Sequence, residues 1–124
     1  MKGAPGALHR RLVAEIVESH GASTKGFPQA LRAADQCLSR VVTTLKRVIP
    51  DAFVVDIAMR TVTVFEVEVH NALDDERLFF YLKTKRMLEC RGWSLILIRV
   101  DAYGERRPHF SIDTYPWETP RSNW

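Results

Sequence analysis

Three carboxylates, Asp51, Glu66 and Glu68, are the residues of this sequence best placed to do chemistry together. Glu66 and Glu68 lie two apart in Thr61-Val62-Thr63-Val64-Phe65-Glu66-Val67-Glu68-Val69, a run rich in β-branched residues that reads as a strand, so both point to one face. Phe53, Val54, Val55 and Ile57 read as the preceding strand, joined to it by a two-residue turn at Met59-Arg60. That turn sets Ala58 against Thr61, Val55 against Val64, Phe53 against Glu66 and Asp51 against Glu68. Opposed residues share a face with Cβ atoms about 5 Å apart, so the hairpin is apolar near its turn and triply acidic at its far end. Carboxylates so close repel one another. A hard divalent cation offsets that charge, and Mg²⁺ takes oxygen ligands from one or two carboxylates while keeping several waters. The alternative is a strand end that carries acids only because it reaches solvent, which needs no metal. His70 continues the alternation at the rim, where an imidazole can bind metal or accept a proton.

The elements that would position these residues follow from periodicity. Leu8, Leu12 and Ile16, with Val13 and Val17 beside them, recur at helical spacing and Gly21 supplies a stop, which predicts a helix over 7–20. Pro28 suits a first helical position, and Leu31, Ala34, Leu38, Val41, Val42, Leu45, Val48 and Ile49 mark one sustained apolar face, which predicts a second, long helix. Leu73 to Arg91 reads as a third, with Asp74, Asp75 and Glu76 in its first turn and Gly92 past its end. Trp93 to Val100 is a nearly continuous apolar run of strand length, expected to be covered on both faces, and Phe110 to Tyr115 reads as an edge strand. Helix, helix, hairpin, crossover helix and buried strand make an α/β domain, a mixed β-sheet with a central hairpin flanked by helices.

A chain of 124 residues with 46% apolar content suits one domain, expected over 1–124 with loose ends at 1–6 and 116–124. The excess of 18 Lys and Arg over 15 Asp and Glu permits a polyanionic partner without requiring one. Cys37 and Cys90 stand far apart in the sequence with no CxxC and no Cys/His cluster, which argues against a disulfide framework or zinc site and for reduced thiols in a cytoplasm. His9, Arg10 and Arg11 stand where a leader would turn apolar, and no run reaches spanning length, so neither export nor membrane insertion is expected. Nothing matches a helix-turn-helix or zinc-finger pattern, so no sequence-specific recognition is expected.

Pro50-Asp51, a hairpin, Glu66-Val67-Glu68 on its second strand, then a helix and a buried strand resemble the PD-(D/E)XK superfamily of restriction endonucleases, Holliday-junction resolvases and phage exonucleases. The likeness spans about residues 50–101 and rests on short motifs. It implies a restriction endonuclease-like fold and a Mg²⁺- or Mn²⁺-dependent endonuclease or exonuclease that hydrolyses DNA phosphodiesters, with Asp51 and Glu66 as metal ligands. The family usually has Lys at its third position. Glu68 stands there, as Glu does in some restriction enzymes of the superfamily, where it would hold a second ion or orient the water. The missing lysine sometimes migrates to the following helix, where Lys83 and Lys85 would stabilise developing charge. Arg77, Tyr81 and Lys85 follow at i+4 steps, similar to the Gln-x-x-x-Tyr face of exonuclease-like members, with Tyr81 matching and Arg77 not. Glu15 or Glu18 would supply the extra acid many members place on the first helix, and each of these helix residues reads equally as an ordinary surface side chain.

On this resemblance the metal, with the Val67 carbonyl as a further ligand, lowers the pKa of bound water and polarises the phosphate. Arg10, Arg11, Lys46, Arg47, Arg86, Arg106 and Arg107 are available for the nucleic-acid backbone. DNA is the expected partner, and a homodimer would give a duplex two sites. The competing expectation, opened by Glu68, is a catalytically silent nuclease-like module that binds nucleic acid or a protein partner, an adaptor or inhibitor such as phages and mobile elements carry.

Overall fold

The computed structural model describes residues 4–43, 49–69, 75–101 and 109–113. Helix α1 (Ala4–His20) buries Leu12 and Ile16, one turn apart, against the sheet. The chain then runs along the first strand, where Ser23 and Phe53 exchange both backbone hydrogen bonds at 2.9 Å. That exchange covers part of an otherwise open sheet edge.

The expected single long second helix is instead two. Helix α2 (Phe27–Ala34) has Pro28 in its first turn and stops at Asp35, whose backbone is extended; a 3₁₀ turn over Gln36–Leu38 leads into α3 (Ser39–Thr43). Asp35 is the physical cause. One of its carboxylate oxygens accepts the Cys37 N–H at 2.9 Å and the other accepts Trp93 Nε1–H at 3.0 Å, so its side chain supplies a turn in place of helical bonds. The apolar face survives the break, since Leu31, Leu38 and Val41 are all fully buried.

Strands β1 (Ala52–Asp56) and β2 (Thr61–Glu68) form the hairpin. Helix α4 (Asp75–Glu89) crosses over to β3 (Ser94–Asp101), which is parallel to β2, and β4 (His109–Asp113) is antiparallel to β3. The sheet order is β1-β2-β3-β4, so the α/β class and mixed sheet hold while the hairpin sits to one side and β2 and β3 are central. Gly92, at φ +83°, closes α4: its N–H reaches the Glu89 carbonyl and the Trp93 N–H reaches that of Leu88. Phe53, Val62, Val64, Leu95 and Leu97 meet α2, α3 and α4 on one face, while Ala52, Phe65, Val67 and Val100 meet α1 on the other. Among the described residues no helix is long and apolar enough to cross a membrane.

The hairpin register differs from the expected one by two residues. Asp56 pairs with Thr61 and Phe53 with Val64, leaving a four-residue loop at 57–60 in place of a two-residue turn. Asp56 Oδ1 accepts the Met59 N–H at 3.0 Å, the Arg60 N–H bonds the Ile57 carbonyl at 3.2 Å, and Arg60 takes φ +51° to complete the loop. A shift of two preserves every residue's face. Asp51, one step before the ladder, therefore stands opposite Glu66 instead of Glu68.

Candidate functional site

Glu66 and Glu68 share one face at the carboxyl-terminal end of β2, where α4 begins its crossover to β3, and Asp51 stands across the hairpin from Glu66 at the sheet edge. Crevices outside the carboxyl ends of strands are where open α/β sheets bind ligands. Asp51 is placed by its own backbone, whose N–H reaches the Phe65 carbonyl at 3.1 Å. Its side chain then takes over from the ladder: Oδ2 accepts the Val67 N–H at 2.7 Å, and Oδ1 lies 3.1 Å from His9 Nε2 on α1. A strand residue's N–H and C=O leave the same side, so the Val67 carbonyl faces the Asp51 edge too.

Glu66 is 7% exposed and is held from α4. Its Oε2 accepts Arg77 Nη2 at 2.6 Å and the Tyr81 hydroxyl, and Arg77 Nη2 also reaches the Ile49 carbonyl at 3.0 Å. Burial pushes the Glu66 carboxyl above its ordinary pKa; the bonds from Tyr81 and Arg77 pull it back, and the neighbouring Asp51 charge adds to the rise. Burial and the Glu66 charge hold the Tyr81 phenol well above its usual range, so its proton stays on Oη and points at Glu66. Burial works against the Arg77 charge, but the bond to Glu66 and its negative charge outweigh it and raise that group's pKa, which fixes a cation at the site.

Glu68, 6% exposed, belongs to a different pair. Arg99 on β3 grips it with two bonds, Nε to Oε2 at 2.6 Å and Nη2 to Oε1 at 3.0 Å. The like-charge repulsion that three carboxylates imply is thus offset within the chain by Arg77 and Arg99. Neither lysine joins them: Lys85 Nζ pairs with Glu89 at 2.6 Å one turn on, and Lys83 is exposed with its ammonium 5.7 Å from the Phe79 ring centre. Glu15 and Glu18 are exposed on α1, Glu15 lying 4.0 Å from Arg11. Arg10, Arg11 and Arg86 are exposed, while His70, Lys46, Arg47, Arg106, Arg107 and the tail at 116–124 lie outside the described residues.

Spacing set Arg77 and Tyr81 on one helix face without giving Glu66 as their partner, and Arg99 and His9 were not singled out. Arg99 had a usable signal: it lies in phase with Leu95 and Leu97, at an inward position where a charge requires a partner. Among the described residues no group of three or more His, Cys, Asp or Glu is arranged to hold a metal. Both oxygens of Asp51 and both of Glu68 already have partners within the chain, and Glu66 Oε2 takes Arg77 and Tyr81, so a hard cation held by Asp51 and Glu66 would share its oxygens with those partners. No family model matches this chain, and neither does any curated protein or solved structure.

Proposed function

We propose that the chain is a Mg²⁺-dependent deoxyribonuclease with a restriction endonuclease-like fold, of PD-(D/E)XK kind, acting on DNA in the cytoplasm, with a pair of copies serving the two strands of a duplex. The observation that carries this reading is Asp51 and Glu66 standing opposite each other beside the β2-α4-β3 crossover, with Arg77 and Tyr81 of α4 on Glu66. When bound by Asp51 and Glu66, the cation supplies a bound water of lowered pKa and neutralises charge on the phosphate. The chain's own groups do the rest. The Val67 N–H and His9 orient Asp51, the Tyr81 proton aims Glu66, and Arg77 provides a permanent positive charge where an oxyanion develops. Glu68 and Arg99 form a braced ion pair at the margin of the site, and Lys83 and Arg86 on the exposed side of α4 are free to meet phosphate backbone without reading bases.

A second reading has its own support. Arg77 and Arg99 already compensate Glu66 and Glu68, as a silent nuclease-like module that binds nucleic acid or protein would require. Supercoiled and branched DNA, incubated with Mg²⁺ and separately with Mn²⁺, distinguishes the two. Cleavage by wild type and none by Asp51→Ala is the expected result. DNA retained but uncut by wild type under both ions would favour the silent module.

A further inference from the structure

Helix α4 carries an aromatic ring that the acidic site does not use. Phe79 is 55% exposed, and among the described residues of α4 it is the only apolar side chain open to solvent to that extent; Leu78, Phe80, Leu82 and Met87 are half-buried, and Tyr81 and Leu88 are buried. Lys83 and Arg86 follow Phe79 at i+4 and i+7, so the three share one helix face, and both cations are exposed. The ring is held from two sides. Phe80 meets it edge-on with ring centres 5.8 Å apart, and the Lys83 ammonium lies 5.7 Å from its centre. Glu89, one turn beyond Arg86, is taken by Lys85 at 2.6 Å. Glu76 is exposed one turn before Phe79, so the basic part of the face begins at the ring and runs toward the helix end. Phe79 also lies between Arg77 and Tyr81, the two residues that hold Glu66. It is therefore level with the acidic site along the axis, roughly on the opposite side of a helix about 10 Å across.

We propose that Phe79 is a stacking platform for an unpaired base of a single DNA strand, with Lys83 and Arg86 taking the phosphates on one side of that base. Stacking on an aromatic ring accepts any base, because every base presents a π-face, and neighbouring cations hold the backbone. The charge pattern selects this occupant over a protein: protein interfaces centre on contiguous apolar surface and are depleted in lysine, whereas here a single ring is followed by two cations. A base inside a duplex already has both faces covered by its neighbours, so the platform takes only unpaired bases. Resting on the nuclease reading above, this makes the substrate of the Asp51 and Glu66 site duplex DNA that carries a single-stranded stretch, with no preference among bases.

The test uses the full chain without divalent ions, so that cleavage does not enter. Fluorescence anisotropy is measured for a labelled oligothymidine and for a strand of the same length whose central nucleotides lack bases. Wild type should bind the oligothymidine about tenfold more tightly than the base-free strand. Phe79→Ala should remove that difference and Phe79→Trp should keep it. Lys83→Gln and Arg86→Gln should weaken both strands alike, each lowering the slope of log affinity against log salt by roughly 0.7. Equal affinity of wild type for the two strands, binding of neither, or a preference that survives Phe79→Ala would each overturn the proposal. Cleavage of DNA alongside any of those results would leave the nuclease reading standing without the platform, and base-dependent binding without cleavage under Mg²⁺ or Mn²⁺ would leave the platform standing without the nuclease.

Discussion

Removing the Arg99 guanidinium takes from the buried Glu68 carboxylate the cation that holds both its oxygens, and breaking one side of a buried pair costs about 3 kcal/mol or more. Arg99→Gln should therefore lower unfolding free energy by roughly that amount in urea titrations. Glu68→Gln with Arg99→Gln should recover most of the loss, because neither charge is then stranded. The same pairing changes what Glu68→Lys tests. A lysine at position 68 would set two cations against each other at a site where Arg99 is three-quarters covered, so Glu68→Lys should unfold at lower temperature, while Glu68→Lys with Arg99→Glu should regain stability. The three acids were legible because strand alternation alone puts Glu66 and Glu68 on one side. Their partners were not: Arg99 and His9 come from elements whose positions beside the hairpin depend on the whole topology.

At the scale of elements, the break after α2 shows where periodicity stops informing. The apolar spacing from Leu31 to Val41 reads as one helix because the residues that turn the chain still leave both halves facing the same core. Only the long-range bond from Trp93 and the local one from Cys37 reveal Asp35 as a stop. Those bonds, the Trp93 one foremost, hold the Asp35 carboxyl below its ordinary pKa. The unfolded chain therefore takes up its proton first as pH falls, so the stabilisation is complete above the ordinary carboxylate range and is lost as pH drops through the lowered native value. Asp35→Asn should melt at lower temperature than wild type at neutral pH, and the gap should narrow on acidification, as measured by circular dichroism at a series of pH values. A gap of constant size would show that the carboxylate charge contributes nothing at this turn. The hairpin loop was misread for a related reason, since Asp56 capping the Met59 N–H is a side-chain choice that strand alternation does not register. Because the resulting shift is even, Glu66 and Glu68 keep the face they share with Val62 and Val64.

Over the whole molecule, the two central strands carry the fold, and the site is a by-product of how they are crossed. Leu97 on β3 is fully buried between β2 and β4, and Leu97→Ala should cost about 2–5 kcal/mol, a loss large enough to unfold a marginal domain. With a net charge of only +3, the DNA binding proposed above would rest on local clusters such as Lys83 and Arg86 and should fall steeply between low and moderate salt. Binding that ignores salt would shift weight to a protein partner. Class was readable from composition and period, but the register and the partner of each acid required the assembled sheet. The central claim concerns Asp51 and Glu66 as a divalent-cation site, and calorimetric titration of Mn²⁺ into the apo chain tests it without a substrate. Saturable binding is expected for wild type, abolished by Asp51→Ala and retained by Arg99→Gln at a temperature where that variant is folded. Absence of saturable heat in wild type, or heat that Asp51→Ala leaves unchanged, would contradict a metal site at this hairpin.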